Sequence, residues 1–190
     1  LHSADRKGLH NIVFAGGVCA FNPEPLADFV DFFSIGEGED ITPEILRLYD
    51  LAKAEGWTKE HFLVEVSKIP GIYVPSFYEH TYKEDGTLKE IIPLNDAPQT
   101  VTKRIIEDLD NAYYPTKMIV PSTEIVHDRA NLEVFRGCIR GCRFCQAGFI
   151  YRPFRERDAE LINSGAKELC RCTGYEEVSL TSLSTSDHPQ

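Results

Sequence analysis

The sequence predicts an α/β protein with a β-rich middle. Three observations point to this fold class. Short apolar runs alternate with helical patterns near the start, extended segments broken by prolines fill the middle, and a strand, a cysteine-rich loop, a helix and a second strand follow near the end. Hydrophobic residues make up 42% of the 190 residues and charged residues 26%, which is typical of a packed globular protein.

Residues 1–56 are predicted to form the last part of a doubly wound sheet. The segment NIVFAGG, residues 11–17, is typical of a short buried strand that ends at a glycine pair, and a second apolar run covers residues 30–35. Cys19 lies in the apolar loop between them and is expected to be a small buried residue.

Two helices are predicted in the first half of the chain, and the first of them is amphipathic. Apolar residues recur at helical spacing after Thr42, which is the expected N-cap, and Gly56 is the expected end. A second helix is expected over residues 58–69 with Thr58 as its N-cap. The first helix completes the alternation of strands and helices that favours a doubly wound sheet.

Residues 57–128 are predicted to be a mixed α+β connector. Beyond its helix, an Asp85–Gly86 pair between two extended runs indicates a β-hairpin. Further strand-like segments, broken by prolines, are expected at 101–106 and 119–126. The regular patterning makes this connector a structured element rather than a flexible linker.

Residues 129–190 are predicted to open a second α/β domain. The strand NLEVFRG, residues 131–137, enters the cysteine-rich loop, a helix is expected over residues 155–171, and a second strand over residues 175–183. A strand, a crossover helix and a parallel strand make one βα unit.

Charge and apolar patterning limit the classes of function. The net charge of −10 does not support nucleic-acid binding, which needs a broad basic face, although a local basic patch is still compatible with it. No apolar run reaches the ~20 residues that span a bilayer, and the polar start lacks the apolar core of a secretory signal, so we expect a cytoplasmic protein. The chain begins at Leu1 and ends at Gln190 just after a strand-like run, so we expect a piece of a longer protein.

Three cysteines, Cys138, Cys142 and Cys145, form a C-x-x-x-C-x-x-C pattern. Thiolates select zinc, copper(I) or iron–sulfur clusters, and in a reducing compartment such clustering favours metal ligands over disulfides. Three ligands on one loop can hold three irons of a [4Fe–4S] cluster. The alternative is a non-catalytic binding module with a structural zinc site, which needs a fourth ligand. The candidates for that ligand are Cys170, Cys172 and His127.

The cysteine pattern, with Phe144 directly before its last cysteine, resembles the signature of the radical S-adenosylmethionine (SAM) superfamily. The resemblance implies that the three cysteines bind a [4Fe–4S] cluster on the loop after the first strand of a partial parallel (β/α) barrel. It further implies that SAM binds the open iron and is reductively cleaved to a 5′-deoxyadenosyl radical, with Phe144 packing against the cluster or the adenine. An electron donor such as flavodoxin or ferredoxin is then required. The piece alone is expected to be inactive.

A second resemblance covers the front of the chain. The stretch FAGGVCAFNPEPLADFVDFFSIGEGED, residues 14–40, is similar to the closing part of a Rossmann-like cobalamin-binding domain. In that family, a glycine pair such as Gly16–Gly17 lets the backbone approach cobalamin, and a GEGE stretch such as 36–39 marks the exit from the domain. The D-x-H-x-x-G motif that supplies the family's cobalamin ligand does not occur in the sequence.

The segment after the second strand departs from the radical SAM pattern. Many members of the superfamily carry a GGE-type motif there that contacts the amino group of SAM, whereas this sequence reads TSLSTSD at 181–187. At this point of departure, the hydroxyls of Ser182 and Ser184 are the candidates for the contact with SAM.

Six arginines lie between residues 136 and 157 with one acid, Glu156. One interpretation is an electropositive rim that attracts an anion or docks an electron donor. The other is a solvated loop whose arginines pair with acids elsewhere. The sequence leaves both open.

Overall fold

The computed structural model of the protein describes residues 1–189, and the chain divides into two compact units, Leu1–Ile106 and Glu107–Gln190. Both units mix helices with small sheets, so the α/β class is confirmed. The division into parts at 1–56, 57–128 and 129–190 stays a prediction. In the part of the chain that is described, no helix has both the length and the apolar composition needed to cross a bilayer.

The first unit is built around a mixed three-stranded sheet. Its central strand β2 pairs in parallel with β1 and antiparallel with β3. Between β1 and β2 the described chain forms short 3-10 helices and no α-helix, so the doubly wound arrangement stays a prediction. The elements are β1 (Phe14–Ala15), β2 (Phe32–Ser34), α1 (Gly38–Glu55), α2 (Lys59–Ser67), β3 (Ile72–Tyr73), β4 (Tyr78–Tyr82) and β5 (Leu88–Pro93).

Strand β2 places consecutive phenylalanines in two different hydrophobic clusters, as expected where side chains alternate across a strand. Phe32 lies in the cluster that holds Ile41 and Ile45 of α1 and residues of α2. Phe33 lies in a smaller cluster with Val30 and other apolar residues. The central strand is therefore buried on both faces, and the expected strand over residues 30–35 is confirmed.

Helix α1 starts four residues before the predicted N-cap. Glu37 is the N-cap, and its carboxylate accepts a hydrogen bond from the backbone N–H of Ile106 at 2.5 Å. Thr42 lies inside the helix, so the prediction of its capping role was wrong. The reason is non-local, because the segment near Ile106 fixes the cap residue from 69 positions away.

The predicted end of α1 and the predicted start of α2 are confirmed, whereas α2 ends at Ser67, two residues before the predicted end. Gly56 ends α1 in the left-handed conformation, with φ of 67°. Thr58 caps α2, and its side chain accepts a hydrogen bond from the backbone N–H of His61 at 3.2 Å. Both signals depend on neighbours within a few residues.

The connector contains the predicted hairpin and lacks two predicted strands. β4 and β5 pair antiparallel across the turn that contains Gly86, whose φ is 80°. Within the described residues, 101–106 and 119–126 form no strand, and the former contributes one isolated bridge between Arg104 and Gly36. The strand predictions were wrong because β-branched residues stabilise a strand only where a partner strand is available.

A buried ionic network connects the first residues of the chain to the rest of the first unit. The Asp31 side chain is 0% exposed, and its carboxylate accepts hydrogen bonds from Arg6 Nη2 at 2.8 Å and from the Val13 backbone at 2.7 Å. Lys59 Nζ lies 2.5 Å from the same carboxylate and also donates to the carbonyl of Ser3 at 2.8 Å. The network ties the N-terminal segment to β2 and α2.

The second unit contains the predicted βα unit. β6 and β9 pair in parallel and are connected through α4, which packs on β6 through Leu132 and Leu169. Helix α4 begins after Asp158, which caps it, so its start is four residues later than predicted. A fuller parallel barrel stays a prediction. The elements are β6 (Ala130–Glu133), β7 (Phe135–Arg136), α3 (Ala147–Ile150), β8 (Arg155–Glu156), α4 (Ala159–Thr173) and β9 (Val178–Thr181).

Candidate metal-binding loop

The cysteine-rich loop, residues 137–154, follows β6 and is closed at its base. β7 and β8 pair antiparallel, with Phe135 opposite Glu156. Gly137 opens the loop with φ of 85°, and a Cβ at this position would lie 2.7 Å from the carbonyl oxygen of Pro153 and 2.8 Å from the Cα of Phe154. The two ends of the loop therefore approach so closely that only glycine fits.

The three cysteines are free thiols that the structure does not gather into a finished site. Cys138 and Cys145 are half-buried and Cys142 is exposed. The backbone N–H of Cys145 donates to the carbonyl of Cys142 at 3.1 Å, which makes a tight turn between the last two thiols. Among residues 1–189, no group of three or more His, Cys, Asp or Glu side chains is arranged to hold a metal ion.

Three cysteine thiols are the kind of ligand that an iron–sulfur cluster needs, although the structure does not yet bring them close together. Three soft sulfur ligands lie within eight residues on one loop, and a short turn already separates two of them. The sulfur atoms would have to move together on binding. The fixed base of the loop and its exposed tip are compatible with that movement.

Phe144 lies at the exposed tip of the loop. Its side chain is 91% exposed, and the neighbouring Arg143 is also exposed. An aromatic ring in water leaves apolar surface available to a ligand. The predicted contact of Phe144 with the cluster or the adenine stays a prediction.

Several of the six arginines near the loop have partners within the protein. This favours the interpretation of a solvated loop with paired arginines, rather than an electropositive rim that attracts an anion. Arg136 donates through Nε to Glu133 at 2.7 Å, Arg157 is buried, and the guanidinium of Arg152 lies 4.6 Å from the centre of the Phe149 ring. The local excess of positive charge is therefore smaller than the sequence count indicates.

Arg140, between the first two cysteines, pairs with Asp187, a residue that sequence reasoning missed. Arg140 Nε donates to the Asp187 carboxylate at 2.7 Å and Nη2 donates to its second oxygen. The hydrogen bonds from Arg140 and Ser184 lower the pKa of Asp187, and the hydrogen bond to Asp187 raises the pKa of Arg140, with a smaller contribution from Cys138 and Cys142.

Both serines proposed for SAM binding lie in the turn after β9. Ser182 Oγ lies 2.7 Å from Thr185 Oγ1, and Ser184 Oγ donates to Asp187 at 2.6 Å. The structure places this turn beside the cysteine loop through the contact between Arg140 and Asp187. Their hydroxyls have local partners, and their contact with SAM stays a prediction.

The three candidates for a fourth zinc ligand each contact residues outside the cysteine loop. Cys170 packs in the cluster formed by Ala130, Leu132 and Leu169. The Cys172 thiol donates to Glu168 at 3.2 Å, and this hydrogen bond raises the pKa of the thiol. His127 Nδ1 lies 3.5 Å from a guanidinium nitrogen of Arg129.

The carboxyl ends of β6 and β9 border a cavity of about 520 Å³. Ligands of open α/β sheets bind at the carboxyl ends of parallel strands. The lining mixes apolar and polar side chains, among them Val134, Ile162, Asn163, Leu180, Thr185 and His188.

The glycine pair of the first unit lies at the end of β1. A Cβ at Gly17, whose φ is 87°, would meet no atom within 4 Å, whereas a Cβ at Gly16 would lie 3.3 Å from the carbonyl oxygen of Ser34. The backbone at Gly17 is therefore open to close approach. Cys19 nearby is exposed, so the prediction that it is buried was wrong.

Comparison with known proteins supports the class that the loop and the βα unit indicate. Residues 1–75 match the family model described as radical SAM proteins, N-terminal, which supports membership of the radical SAM superfamily. The matched segment does not include the cysteine loop, and it does not show a cobalamin-binding domain. Cluster binding, SAM cleavage and cobalamin binding therefore stay predictions.

A relative from Methanocaldococcus jannaschii, the uncharacterized protein MJ0966, is 30% identical over 188 residues. The alignment covers 96% of this chain and 34% of the relative, so the chain spans about a third of the relative's length.

The sequence indicated the position of Asp187 near the site, but it did not indicate the partner of Asp187. It is an acid in the segment where the superfamily's GGE-type motif lies, which was a usable signal. Its partner Arg140 is 47 residues away, and that pairing has no local pattern.

Proposed function

We propose that this chain carries the cluster-binding segment of a radical SAM enzyme, in which Cys138, Cys142 and Cys145 hold a [4Fe–4S] cluster. The observation that carries the proposal is a three-thiol loop at the carboxyl end of the first strand of a βα unit, closed at its base by β7 and β8. The match of residues 1–75 to a radical SAM family model supports it independently.

The chain's own residues have defined roles in this proposal. The three thiolates bind the metal and leave one iron open, and Gly137 lets the ends of the loop meet. Phe144 presents apolar surface that excludes water once a ligand covers it. Ser182 and Ser184 are the candidates for contacts with the SAM amino group. When bound, the cluster supplies the electron that cleaves SAM to methionine and a 5′-deoxyadenosyl radical.

The proposal is tested by anaerobic reconstitution of the chain with iron and sulfide. We expect about four irons per chain and the broad visible absorbance of a [4Fe–4S] cluster. Serine substitution at any one of Cys138, Cys142 and Cys145 should lower iron uptake strongly. The matched controls are Cys19→Ser, at an exposed thiol in the first unit, and Cys172→Ser, whose thiol contacts Glu168; both should bind iron as the wild type does.

A structural zinc site predicts the opposite results. Stoichiometric zinc that survives reconstitution, with no uptake of iron, would exclude the cluster. Loss of that zinc in Cys172→Ser would identify the fourth ligand. The contact between Cys172 and Glu168 makes this outcome the less favoured one.

Turnover, the electron donor and the substrate belong to the whole protein. We propose that flavodoxin or ferredoxin supplies the electron and that the protein works in the cytoplasm. We expect no 5′-deoxyadenosine from this chain with SAM and dithionite, because one βα unit does not enclose a substrate. The same assay on the full-length M. jannaschii relative should release it.

Cobalamin is proposed as a further cofactor of the whole protein on the strength of the front of the chain. The open backbone at Gly17 supports it, because a ligand could approach there without meeting a side chain. Incubation with hydroxocobalamin, gel filtration and a visible spectrum test it. Retention by the wild type and its loss in Gly17→Val would support the proposal, and no retention would exclude binding by this chain.

A further inference from the structure

Arg140 and Asp187 form a bidentate ion pair between the cysteine loop and the turn after β9. Two guanidinium N–H groups donate to the two carboxylate oxygens, the Nε bond at 2.7 Å. The Asp187 side chain is only 7% exposed, whereas that of Arg140 is 60% exposed. The pair therefore has a well-shielded half on the turn and a more exposed half on the loop.

The turn holds the Asp187 carboxylate from its own side. Ser184 Oγ donates to Asp187 Oδ2 at 2.6 Å, and the 3-10 helix Thr185–Asp187 fixes the backbone. Three residues separate this helix from the end of β9, which pairs in parallel with β6. The acceptor is therefore attached to the sheet whose first strand leads into the cysteine loop.

The position of Arg140 couples it to two of the three thiols. It lies two residues after Cys138 and two before Cys142, and its backbone N–H points to Cys138 Sγ at 3.5 Å. Any constraint on Arg140 therefore limits the positions that both sulfur atoms can take.

We propose that the Arg140–Asp187 pair is a positioning device that holds the cysteine loop against the turn after β9 before metal binds. The inference rests on the proposed function, since the cluster is the ligand that the loop is positioned for. Bidentate, charge-assisted hydrogen bonds restrict orientation as well as distance. Restricting the loop in advance lowers the conformational cost of bringing three sulfur atoms together. Arg140 and Asp187 act through the cysteines and do not touch the reacting atoms.

The experiment compares the wild type with Arg140→Gln, Asp187→Asn and the charge-reversed double variant Arg140→Asp/Asp187→Arg. The control is Glu168→Gln, which breaks the bidentate pair of Glu168 with Arg171 on α4, away from the loop. Each reconstituted protein is challenged with a chelator, and the loss of iron is followed. Hydrogen exchange of the amides of residues 138–145 is measured on the metal-free proteins.

Each single variant should lose iron about 10-fold faster than the wild type, in line with the effect of outer-shell partners of metal ligands. The loop amides of the metal-free single variants should exchange faster, while those of β6 and α4 remain unchanged. The charge-reversed variant should recover part of both effects. Arg140→Lys, which keeps the charge and loses the bidentate geometry, should fall between wild type and Arg140→Gln.

Iron loss and exchange rates equal to those of the wild type in both single variants would overturn the positioning role. So would equal effects in Glu168→Gln. These results leave the cluster itself intact, so they differ from failure of the proposed function, in which the wild type takes up no iron. The exchange measurement needs no metal and reports on the pair directly.

Discussion

The Asp31 network of the first unit and the cysteine loop of the second unit differ in how far their polar groups are buried and hydrogen-bonded. Asp31 is fully buried, and both of its cationic partners, Arg6 and Lys59, are hydrogen-bonded within the protein. In the loop, the thiols are exposed or half-buried, and Phe144 projects into solvent.

This difference separates a structural polar cluster from the candidate ligand-binding loop. Ionised groups that are buried and saturated by protein donors have no capacity left for a ligand, and they stabilise one arrangement of the chain. The three thiols of the cysteine loop are free and are exposed or half-buried, so they remain able to bind a ligand, while the pairing of β7 with β8 holds the ends of the loop. The predictions below test this contrast, from the largest expected effect to the smallest.

The largest effect is expected from Asp31→Ala. The substitution removes the carboxylate that balances two buried cations, Arg6 and Lys59, and removing one partner of a buried ion pair costs about 3–5 kcal/mol. We expect the free energy of unfolding in urea to fall by that amount at an unchanged m value.

The matched control is Asp50→Ala. Asp50 forms a surface pair with Lys53 at 3.1 Å, and both side chains are more than half exposed. Such pairs contribute less than about 1 kcal/mol. Equal losses in the two variants would contradict the structural role of the buried network.

The second effect concerns the base of the cysteine loop. Gly137→Ala forces a side chain into the left-handed region, which costs about 1–3 kcal/mol, and brings its Cβ to 2.7 Å from the Pro153 carbonyl. We expect a lower urea midpoint and a reduced iron content after reconstitution.

Gly148→Ala in α3 is the control, because its Cβ would meet no atom within 4 Å. It should be neutral or slightly stabilising, since alanine favours helix over glycine by up to about 1 kcal/mol. If Gly137→Ala bound iron and unfolded as Gly148→Ala does, the tight base would not limit the loop.

The smallest effect is the pH dependence that Asp31 contributes. Burial raises the pKa of this carboxyl, but hydrogen bonds from Lys59, Ser3, the Val13 backbone and Arg6 outweigh it, so the pKa lies below its ordinary value of 3.8. A lowered pKa in the folded state means that the stabilisation is complete above pH 3.8 and is lost as the pH falls through the lowered value. The unfolding free energy of the wild type should therefore fall more steeply below pH 3.8 than that of Asp31→Asn. Parallel pH profiles would show that Asp31 does not titrate in this way.

Local signals predicted the parts of the fold that depend on near neighbours. Gly56, Thr58 and the Asp85–Gly86 turn behave as expected, and the βα unit of the second half follows its apolar spacing. The start of α1 was missed because it depends on a partner far away in the sequence. For α1 that partner is the backbone N–H of Ile106.

The sequence predicted the candidate metal ligands of the site, but it did not predict the residues proposed to hold the cysteine loop in place. The spacing of the cysteines is a sequence property, whereas the pairing of Arg140 with Asp187 arises only when β6 and β9 come together. Asp31 did carry a usable signal, because an acid inside the apolar run 30–35 must find partners when that run is buried. Arg6 and Lys59, its partners, lie 25 and 28 residues away on opposite sides.

The pairing of β7 with β8 has a consequence for the order of assembly. Because backbone hydrogen bonds join the two ends of the loop, the entropy of closing it is spent during folding and not during ligation. Under the proposed function, the metal-free chain would fold first and would receive the cluster afterwards from the solvent side, where Cys142 is already accessible. Maturation would then be insertion of the cluster into a folded chain, rather than folding around a metal.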